Sequence, residues 1–339
     1  MNILIYSPLF YPSVGGLETI ISTLAHEFVA QHHCVKLVCQ TPTGDNKQFP
    51  FEVVRSPSSA QLIRLMRWCD IFFQACVSLR GLWPLMIVSK PLIIAHHTWY
   101  RRADGSLGWQ DRLKLLVTRR ATNIAISRAI AEKLSGPSTI IPNAYRDDLF
   151  CEFAGANRTK ELVFLGRLVS DKGVDVLLQA LANLKVKGLK PQLTIIGTGP
   201  EEASLRQLNQ TLELNEQVKF VGLKVGQELV KLLNQHQIMV IPSRWQEPFG
   251  IVALEGIACG CVVVGSDAGG LKDAIGPCGI TFSNGAVEAL TQVLYRLLTK
   301  PQHLDSYRAK AASHLARHNK TQIAKQYLHV MEQALWPTS

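Results

Sequence analysis

Short apolar runs alternate with segments of helical periodicity along almost the whole chain. The run ILIYS at 3–7, for example, precedes a glycine-rich turn and a segment, 17–31, whose apolar residues recur at the spacing of one helix face. Strands that alternate with helices in this way form βαβ units, in which a parallel sheet is covered on both faces. A chain of 339 residues, 47% of them hydrophobic, has enough material for two such domains.

A polar segment with glycine and asparagine at 140–161 interrupts the alternation, and we expect a linker near 151–159. We therefore predict a first domain at 1–155, a second domain at 160–315, and a helical segment at 316–339 that packs back on the first domain. The predicted fold class is α/β, with two doubly wound domains that face each other across a cleft. Because open α/β sheets bind ligands at the carboxyl ends of their strands, the loops at those ends are the expected position of a site.

Positive charge is concentrated in one part of the first domain. The chain has a net charge of +10, and residues 55–128 hold twelve Lys or Arg against three Asp. Such a window suits an anionic partner, namely a membrane surface, a phosphorylated substrate or nucleic acid, although a solvated basic face without a partner has the same composition. Nucleic acid is disfavoured because the window lacks aromatic-stacking and recognition-helix signatures.

Two segments of this window, 108–121 and 60–68, have amphipathic patterns. We interpret both as candidate helices for anionic lipid headgroups. A core-packing helix with an ordinary basic exterior is an equal alternative. The residues concerned are Trp109, Leu113, Leu116 and Val117 with Arg112, Lys114, Arg119 and Arg120 in the first segment, and Leu62, Leu65 and Met66 with Arg64 and Arg67 in the second.

The cysteines and the N-terminus bear on the compartment. The eight cysteines include no Cys-x2-Cys pair and most lie in apolar runs, which predicts small buried residues in a reducing compartment. The N-terminus lacks the basic region and cleavage site of a signal peptide, and no run of about 18 uncharged apolar residues occurs. We therefore expect a cytoplasmic monomer that lies at the inner face of the cell membrane through the 55–128 window.

Two loops that follow predicted strands carry glycines or cations. In the motif PSVGGLET, Gly15 and Gly16 form a turn between the first strand and the first helix, where backbone amides can cradle a phosphate. In the motif GRLVSDKG, Arg167 and Lys172 can reach one anionic group from two sides of the loop. The alternatives are a plain strand-to-helix turn for the first motif and surface charge for the second.

The motif EPFGIVALE (247–255) is the most informative, because its two carboxylates lie eight residues apart. Glu247 falls on a loop before a helix that begins near Phe249 or Gly250, and Glu255 falls about a turn and a half inside that helix. Both can then face one ligand that lies over the helix N-terminus. Two carboxylates suit a sugar, whose hydroxyls donate hydrogen bonds. A solvated acidic helix start is the alternative, but the apolar neighbours of Glu255 disfavour it.

Five motifs together resemble those of the retaining glycosyltransferases of family four. They are GGLET, GRLVSDKG, GTGPE, EPFGIVALE and GSDAGGLKD, which occur in the family's order and cover nearly the whole chain. The resemblance implies the GT-B architecture, in which two Rossmann-like domains have the active site between them. It also implies an enzyme that transfers a sugar from a nucleotide diphosphate sugar with retention of configuration.

The resemblance implies roles for single residues. Arg167 and Lys172 hold the diphosphate of the donor, and Glu247 contacts the transferred sugar. A histidine that ends a strand of the first domain lies beside the anomeric carbon and the acceptor; we assign it to His97, with the adjacent His96 as the alternative. The catalytic set is Glu247, His97, Arg167 and Lys172, and the donor-binding set is Gly15, Gly16, Arg167, Lys172, Val221, Gly222, Leu223, Glu247, Phe249, Gly250, Ile251, Val252 and Glu255.

Within the donor-binding set the resemblance distinguishes three regions. Glu255 takes the ribose hydroxyls, Gly15 and Gly16 close over the diphosphate, and the stretch 218–224 is similar to the loop that brackets the base. One motif departs from the family, since Pro142-Asn143-Ala144 stands where Pro-Asn-Gly is common. Because alanine adopts positive φ less readily than glycine, we expect a different turn there. The chain is also compact for the family, which predicts a trimmed first domain.

We expect no metal and no separate cofactor. The chain contains no Asp-x-Asp motif and no cluster with metal-ligand spacing, so Arg167 and Lys172 supply the positive charge for the leaving diphosphate. The predicted reaction is metal-independent transfer of a hexose to a glycan or lipid-linked acceptor in exopolysaccharide or envelope polysaccharide synthesis. UDP-glucose is the leading donor and GDP-mannose the alternative. A sugar-nucleotide epimerase or hydrolase of the same architecture is a further alternative.

Overall fold

The computed structural model describes residues 1–13, 15–42, 47–100 and 108–336. These residues form two compact units: residues 1–144 together with 318–339, and residues 145–317. Three charged residues of the 55–128 window lie outside the described residues, as does one residue of the Gly-Gly motif. They are Arg101, Arg102 and Asp104 of the window and Val14 of the motif.

The first unit is an α/β fold with one parallel sheet. Its strands are β1 (Asn2–Tyr6), β2 (Cys34–Cys39), β3 (Glu52–Arg55), β4 (Ile71–Ala75), β5 (Leu92–His96), β6 (Thr122–Ala125) and β7 (Ser138–Ile140). Its helices are α1 (Gly16–Ala30), α2 (Ser59–Trp68), α3 (Leu79–Leu82), α4 (Trp109–Thr118) and α5 (Arg128–Ala131), with a 3₁₀ turn at Trp83–Met86. The strands pair in the order β3-β2-β1-β4-β5-β6-β7, which is a doubly wound arrangement.

The long elements of this unit follow the predicted pattern. α1 buries Ile20, Ile21, Leu24 and Phe28 on the face that the periodicity predicts. β4 is buried along its whole length, as expected of a central parallel strand. The short β7, α3 and α5 were not predicted, because three or four residues carry no readable periodicity. In the part of the chain that the structure describes, no helix is both long enough and apolar enough to cross a membrane.

The second unit repeats the arrangement with six parallel strands. The strands are β8 (Lys160–Leu165), β9 (Leu193–Ile196), β10 (Val218–Phe220), β11 (His236–Ile241), β12 (Val262–Ser266) and β13 (Gly279–Phe282). The helices are α6 (Val174–Val186), α7 (Glu202–Thr211), α8 (Gly226–Leu233), α9 (Ile251–Ala258), α10 (Leu271–Ile275), α11 (Val287–Thr299), α12 (Gln302–Arg308) and α13 (Ala311–Ala316), with 3₁₀ turns at Ser170–Lys172 and Gly276–Cys278. The strand order is β10-β9-β8-β11-β12-β13.

The core of the second unit lies between its sheet and the helices α6 and α11. Leu162 of β8 and Val240 of β11 are completely buried in one cluster with Leu177 and Leu181 of α6 and Leu294 of α11. Burial of one such side chain contributes about 1.5–3 kcal/mol. This packing covers the apolar strands that the sequence predicts, and the expected pair of doubly wound, Rossmann-like domains is confirmed.

Residues 145–159, which include the predicted linker at 151–159, belong to the second unit. Asn234, which follows α8, accepts a hydrogen bond from the Phe153 N–H at 2.8 Å. Its amide also donates to the carbonyl oxygen of Cys151 at 3.0 Å. One buried side chain thus anchors this polar segment beside the second sheet.

The C-terminal helix α14 (Lys320–Leu335) belongs to the first unit. The Thr321 hydroxyl donates a hydrogen bond to the Glu27 carboxylate of α1 at 2.8 Å. The Tyr327 ring packs edge-on against Phe73 of β4, with ring centroids 5.8 Å apart. Through these contacts the end of the chain covers part of the first sheet.

The eight cysteines are free thiols with different exposure. The prediction that they are buried is wrong for two of them: Cys34 is the exposed first residue of β2, and Cys151 lies exposed in the segment before β8. Cys76 is half-buried. The five that are buried as predicted are Cys39, Cys69, Cys259, Cys261 and Cys278.

Candidate functional site

Two loops of the second unit, 166–173 and 242–250, lie side by side at the carboxyl end of its sheet. They follow β8 and β11, adjacent strands between which the strand order reverses. Ligands of open α/β sheets bind at such points. Gly173 permits the close approach of the loops: its φ is 66°, and a Cβ there would overlap the carbonyl oxygen of Pro242.

Lys172 and Glu247 meet across these loops. Lys172 Nζ lies 2.5 Å from Glu247 Oε1, and the Ser243 hydroxyl donates to the same oxygen at 2.8 Å. The Lys172 and Glu247 side chains are only 25% and 12% exposed, so water is largely kept from the pair and their charged hydrogen bond is correspondingly strong. The sequence predicts that both residues contact one ligand; the structure adds that they pair with each other.

The backbone around Glu247 is fixed by the motif GSDAGGLKD. The Ser266 hydroxyl donates to the carbonyl oxygen of Ser243 at 2.7 Å, and the Gly270 N–H donates to that of Glu247 at 2.7 Å. Gly269, with φ of 72°, forms a parallel bridge with Glu247, and a Cβ there would overlap the Glu247 carbonyl oxygen. This motif therefore acts on the site by holding the loop that carries Glu247.

Helix α9 carries the second acid of EPFGIVALE. Gly250 is its N-cap residue, with φ of 98°, and Glu255 lies at the start of its second turn. Burial raises the pKa of the Glu255 carboxyl to about 7, and the nearby Arg146 guanidinium opposes part of that increase. The backbone N–H groups of the first turn have no acceptor inside the helix. The other predicted residues of this motif are Phe249, which is buried, and Ile251 and Val252, which form the first turn.

Two arginines beside the site differ in whether a carboxylate already holds them. Arg167 lies two residues after the end of β8, and its side chain is exposed. It takes part in no ion pair between described residues. Arg244 forms a two-point ion pair with Asp175 of α6, with both distances 2.5 Å, and these hydrogen bonds raise the pKa of its guanidinium. Arg167 is thus the arginine available to an anion, whereas Arg244 braces α6 against the loop after β11.

Sequence reasoning missed Ser243, Arg244 and Asp175. A signal for two of them was present, because Ser243 and Arg244 come at the carboxyl end of the predicted strand QIMVIPS, where site residues are expected. Asp175 lies in the first turn of a predicted helix, where an acid is also explained by the helix dipole. The sequence pattern does not distinguish an acid that stabilises the helix dipole from an acid that pairs with Arg244.

The sequence predicts a reaction without a metal ion, in which Arg167 and Lys172 supply the positive charge. In the described ranges, no group of three or more His, Cys, Asp and Glu side chains is placed to hold a metal ion. Arg167 and Lys172 supply positive charge at the loop 166–173. That transfer is metal-independent stays a prediction.

The stretch predicted to bracket the base lies on an exposed loop after β10. The Val221 N–H donates to the carbonyl oxygen of Ile195 at 3.0 Å, and the Gly197 N–H donates to that of Gly222 at 2.9 Å. Gly222 has φ of 71°, and Leu223 is 67% exposed. These bonds tie the loop to the end of β9, and its contact with a base stays a prediction.

The Gly-Gly turn of the first unit joins β1 to α1. Gly15 is the N-cap residue of α1, and Gly16 is its first residue. Glu18 lies over the turn: its Oε1 accepts a hydrogen bond from the Ser13 hydroxyl at 2.9 Å, and a Cβ at Gly15 would lie 2.5 Å from its Oε2. A carboxylate of the chain itself therefore lies at the helix end that favours anions, so a diphosphate at this turn has to displace Glu18 or share the position with it.

The two adjacent histidines after β5 have different surroundings. His96 is fully buried between the Tyr100 hydroxyl, 2.8 Å from Nδ1, and Asn123 Oδ1, 3.0 Å from Nε2. Burial lowers its pKa to about 4, although the Asn123 bond partly offsets this. Burial and His96 lower the pKa of His97 to about 3, with Asn143 acting in the opposite direction. Burial thus favours the neutral form of both rings. Both ring nitrogens of His96 have partners within the chain, and the assignment of the catalytic role to His97 stays a prediction.

Comparison with known proteins identifies the second unit most directly. Residues 148–314 match the model of the family described as "Glycosyl transferases group 1". The chain is 39% identical over 116 residues to an uncharacterized glycosyltransferase of Methanocaldococcus jannaschii, a match that covers 34% of this chain and only 29% of that protein. It is 29% identical over 263 residues to the phosphatidyl-myo-inositol mannosyltransferase of Mycobacterium leprae, covering 74% of this chain and 70% of that one.

A solved structure resembles nearly the whole chain. The fold is similar to that of HepE from Anabaena, in its complex with UDP, with a TM-score of 0.83 and 19% identity over 98% of this chain and all of that one. At this identity the likeness concerns the fold, and it confirms two Rossmann-like domains of the GT-B architecture.

Proposed function

We propose that this protein, which carries a group 1 glycosyl transferase domain over residues 148–314, transfers a hexose from a nucleotide diphosphate sugar to an acceptor hydroxyl. The resemblance to glycosyltransferases of family four, predicted from the motifs, is confirmed by that match. The observation that carries the proposal is the pairing of Lys172 with Glu247 at the carboxyl end of one parallel sheet. The loop of Lys172 also carries the exposed Arg167, and the loop of Glu247 leads into the helix that contains Glu255.

The proposed chemistry is governed by charge. Cleavage of the bond between sugar and phosphate develops positive charge on the anomeric carbon and negative charge on the leaving diphosphate. Arg167 and Lys172 offset the negative charge, because cations fixed in a shielded site stabilise it without reorganisation. In this proposal the diphosphate draws Lys172 away from Glu247. The released Glu247 oxygen then accepts hydrogen bonds from the hexose, and Glu255 accepts those of the ribose hydroxyls.

We propose retention by attack on the face that the diphosphate leaves. The acceptor oxygen bonds to the anomeric carbon as the bond from that carbon to the phosphate oxygen breaks, and the acceptor proton passes to the departing phosphate oxygen. His97 is neutral, since burial keeps its pKa near 3, so its proposed part is to hydrogen-bond a substrate and not to donate a proton. The roles of Gly15, Gly16 and His97 concern the first unit and stay predictions.

UDP-glucose is the proposed donor, with GDP-mannose as the alternative. HepE, which has a similar fold over nearly the whole chain, was crystallised with UDP. The Mycobacterium leprae relative is named as a mannosyltransferase, which favours the alternative. The two donors differ in both base and sugar, so a binding measurement separates them.

We expect UDP-glucose to raise the thermal unfolding midpoint more than GDP-mannose does. A ligand at a hundred times its Kd stabilises the folded state by about 2.7 kcal/mol, which is a shift of several degrees. Differential scanning fluorimetry with both nucleotide sugars measures this, and proton NMR of the first product is expected to show an α linkage. A larger shift with GDP-mannose reverses the donor assignment, and a β linkage from an α donor contradicts retention.

An epimerase or hydrolase of the same architecture is distinguished by omitting the acceptor. We expect the nucleotide sugar to persist when incubated with the enzyme alone and to be consumed when a glycan acceptor fraction is added. Rapid turnover without acceptor, seen by NMR as free hexose or an epimerised nucleotide sugar, supports the alternative reaction instead.

The proposed acceptor is a glycan or lipid-linked glycan in exopolysaccharide or envelope polysaccharide synthesis, met at an anionic membrane surface. The support comes from α4, on which Trp109, Leu113 and Leu116 are 72%, 41% and 55% exposed. Their spacing of four and three residues puts them on one side of the helix. An exposed apolar face with flanking cations is typical of helices that lie on anionic bilayers. The flanking cations are Arg112, Arg119 and Arg120, all exposed.

Helix α2 does not extend this surface. Leu62, Leu65 and Met66 are at most 6% exposed and belong to the core of the first unit. The lipid-headgroup interpretation of segment 60–68 is therefore wrong for its apolar side chains, which pack inward because they face Leu4 and Val38 of the sheet. The cations of α2, Arg64 and Arg67, face solvent.

We expect charge reversal on α4 to release the protein from anionic vesicles. Each Lys or Arg near such a surface contributes about 1 kcal/mol, so Arg112→Glu with Arg119→Glu and Arg120→Glu is expected to lower partitioning by at least about a hundredfold. Sedimentation with mixed phosphatidylglycerol and phosphatidylcholine vesicles measures this at low and high salt, because salt screens the attraction. The control is the double variant Arg64→Glu with Arg67→Glu on α2. We expect its partitioning to the vesicles to be closer to that of wild type. Absence of wild-type binding at low salt removes the membrane from the proposal.

A further inference from the structure

The loop that carries Lys172 is joined to the loop after β11 on both sides of that lysine. Before it, the Asp171 carbonyl oxygen accepts hydrogen bonds from the Arg244 N–H at 2.8 Å and the Trp245 N–H at 3.1 Å. After it, the Asp175 carboxylate accepts two hydrogen bonds from the Arg244 guanidinium, both 2.5 Å long. Arg244 thus contacts the chain on either side of Lys172 through its backbone and its side chain.

The backbone of Arg244 is itself held by the loops on its other side. Its carbonyl oxygen accepts a hydrogen bond from Asn284 Nδ2 at 2.8 Å, and the Asn284 N–H donates to Asp267 Oδ1 at 3.1 Å. Asn284 follows β13 and Asp267 follows β12, so two further loops at the carboxyl end of the sheet fix this backbone. The Arg244 side chain then acts from a fixed point on the start of α6.

The ion pair between Arg244 and Asp175 controls geometry more than it controls stability. The two side chains are 44% and 30% exposed, and ion pairs open to water contribute little to the stability of a protein. Two parallel hydrogen bonds from one guanidinium nevertheless fix both the distance and the orientation of the carboxylate. Asp175 lies three residues after Lys172, and Arg244 lies three residues before Glu247. The ion pair therefore sets how far apart the two loops hold Lys172 and Glu247.

We propose that Asp175 and Arg244 are positioning residues that place the Lys172 ammonium group for the diphosphate of the donor. This inference rests on the proposed sugar transfer. Neither side chain touches the donor, because the guanidinium of Arg244 already pairs with Asp175. A shift of about 1 Å, caused by a substitution away from the reacting atoms, can lower a rate by about 100-fold. An ion pair that adds little stability can therefore have a large effect on transfer.

Calorimetry with UDP and with uridine tests the proposal, or with GDP and guanosine if thermal shift selects that donor. We expect Asp175→Asn and Arg244→Gln each to weaken UDP binding by about 10-fold and to lower kcat by about 10- to 100-fold. Uridine binding is expected to stay unchanged, because uridine has no phosphate for Lys172 to hold. An Arg244 that contacted the diphosphate directly would be released by Asp175→Asn. Unchanged or tighter UDP binding by Asp175→Asn therefore overturns the proposal.

A double variant distinguishes positioning of Lys172 from general loosening of the second unit. We expect Arg244→Gln to weaken UDP binding in wild type but to have almost no further effect in Lys172→Ala. Additive effects of the two substitutions, or equal losses of UDP and uridine binding, overturn the proposal. Lys185→Gln is the matched control, because Lys185 pairs with Glu213 at 3.1 Å at the other end of α6. It is expected to bind both ligands as wild type does.

A measurement without ligand separates this inference from the proposed function. Because Lys172 pairs with Glu247, Lys172→Ala is expected to lower Tm in otherwise wild-type protein. The same substitution is expected to lower Tm less in Asp175→Asn, where the pairing is already loosened. Equal decreases in the two backgrounds contradict the positioning role. If this coupling is found but wild type binds neither UDP nor GDP, the result supports the positioning of Lys172 and counts against the proposed function.

Discussion

Replacing Arg167 or Lys172 with alanine is expected to lower kcat by about 100- to 1,000-fold, which is the effect of losing one fixed group that stabilises developing charge. Both side chains lie on the loop after β8, where the diphosphate is proposed to leave. The reason is electrostatic: with a cation gone, the negative charge of the leaving group is met by a single fixed positive charge. Steady-state kinetics with the donor identified by thermal shift measure the effect.

The two variants are expected to differ in stability. Arg167 is exposed and makes no ion pair with a described residue, so Arg167→Ala leaves Tm unchanged. Lys172 neutralises the shielded Glu247, so Lys172→Ala lowers Tm as well as kcat. Lys187→Ala, at the exposed end of α6, is the control and is expected to keep full activity. EDTA is expected to change none of these rates; full activity of either variant, or loss of wild-type activity in EDTA, refutes the charge argument.

Replacing Glu255 with glutamine is expected to stabilise the protein at pH 8 while weakening its binding of UDP. Burial raises the pKa of the Glu255 carboxyl from 4.5 to about 7. The folded state therefore binds the proton more tightly than the unfolded chain does, and the free energy of unfolding falls as pH rises from 4.5 to 7. A shift of this size corresponds to about 3 kcal/mol, lost in wild type at pH 8 and retained by the neutral glutamine.

Urea unfolding at pH 4.5 and pH 8 measures this, and we expect the variant to exceed wild type only at the higher pH. Calorimetry is expected to show UDP affinity reduced by about 10- to 100-fold, because hydrogen bonds to a charged acceptor contribute about 1.5–3 kcal/mol. Glu216→Gln, at an exposed position before β10, is the control for loss of one charge. Equal stability of variant and wild type at both pH values shows that the Glu255 carboxyl is not desolvated in the folded protein.

That Lys172 and Glu247 lie at the same edge of one sheet follows from the sequence by one argument. These residues are 75 positions apart, but both follow strands of one parallel sheet, and such strands end at one edge. Their direct pairing does not follow, because it depends on side-chain conformation and on how closely Gly173 lets the loops approach. The same holds for Glu18, whose position over its own helix end is a matter of local rotamers.

Amphipathic patterning also has a limit that α2 and α4 illustrate. Both helices combine apolar residues with arginines at helical spacing. The apolar side of α2 meets the core of the first unit, whereas Trp109 and Leu116 of α4 remain in solvent. Periodicity states which residues share a face, but only the tertiary structure decides what that face meets.

The sequence predicts a different turn at Ala144, where the family commonly has glycine, and the backbone explains how alanine fits there. Ala144 is 3% exposed and its φ lies outside the left-handed region. A glycine is therefore not required at this position, because the chain does not use the conformation that glycine alone adopts readily.

The pairing of Lys172 with Glu247 has a consequence for competition in solution. A free hexose carries no negative charge that could attract Lys172. The Glu247 carboxylate therefore stays paired with Lys172 and is not available to the hexose hydroxyls. A released nucleotide keeps both phosphates and can reclaim the same cation. We therefore expect the nucleoside diphosphate product to inhibit the proposed transferase, and we expect free monosaccharides not to inhibit it.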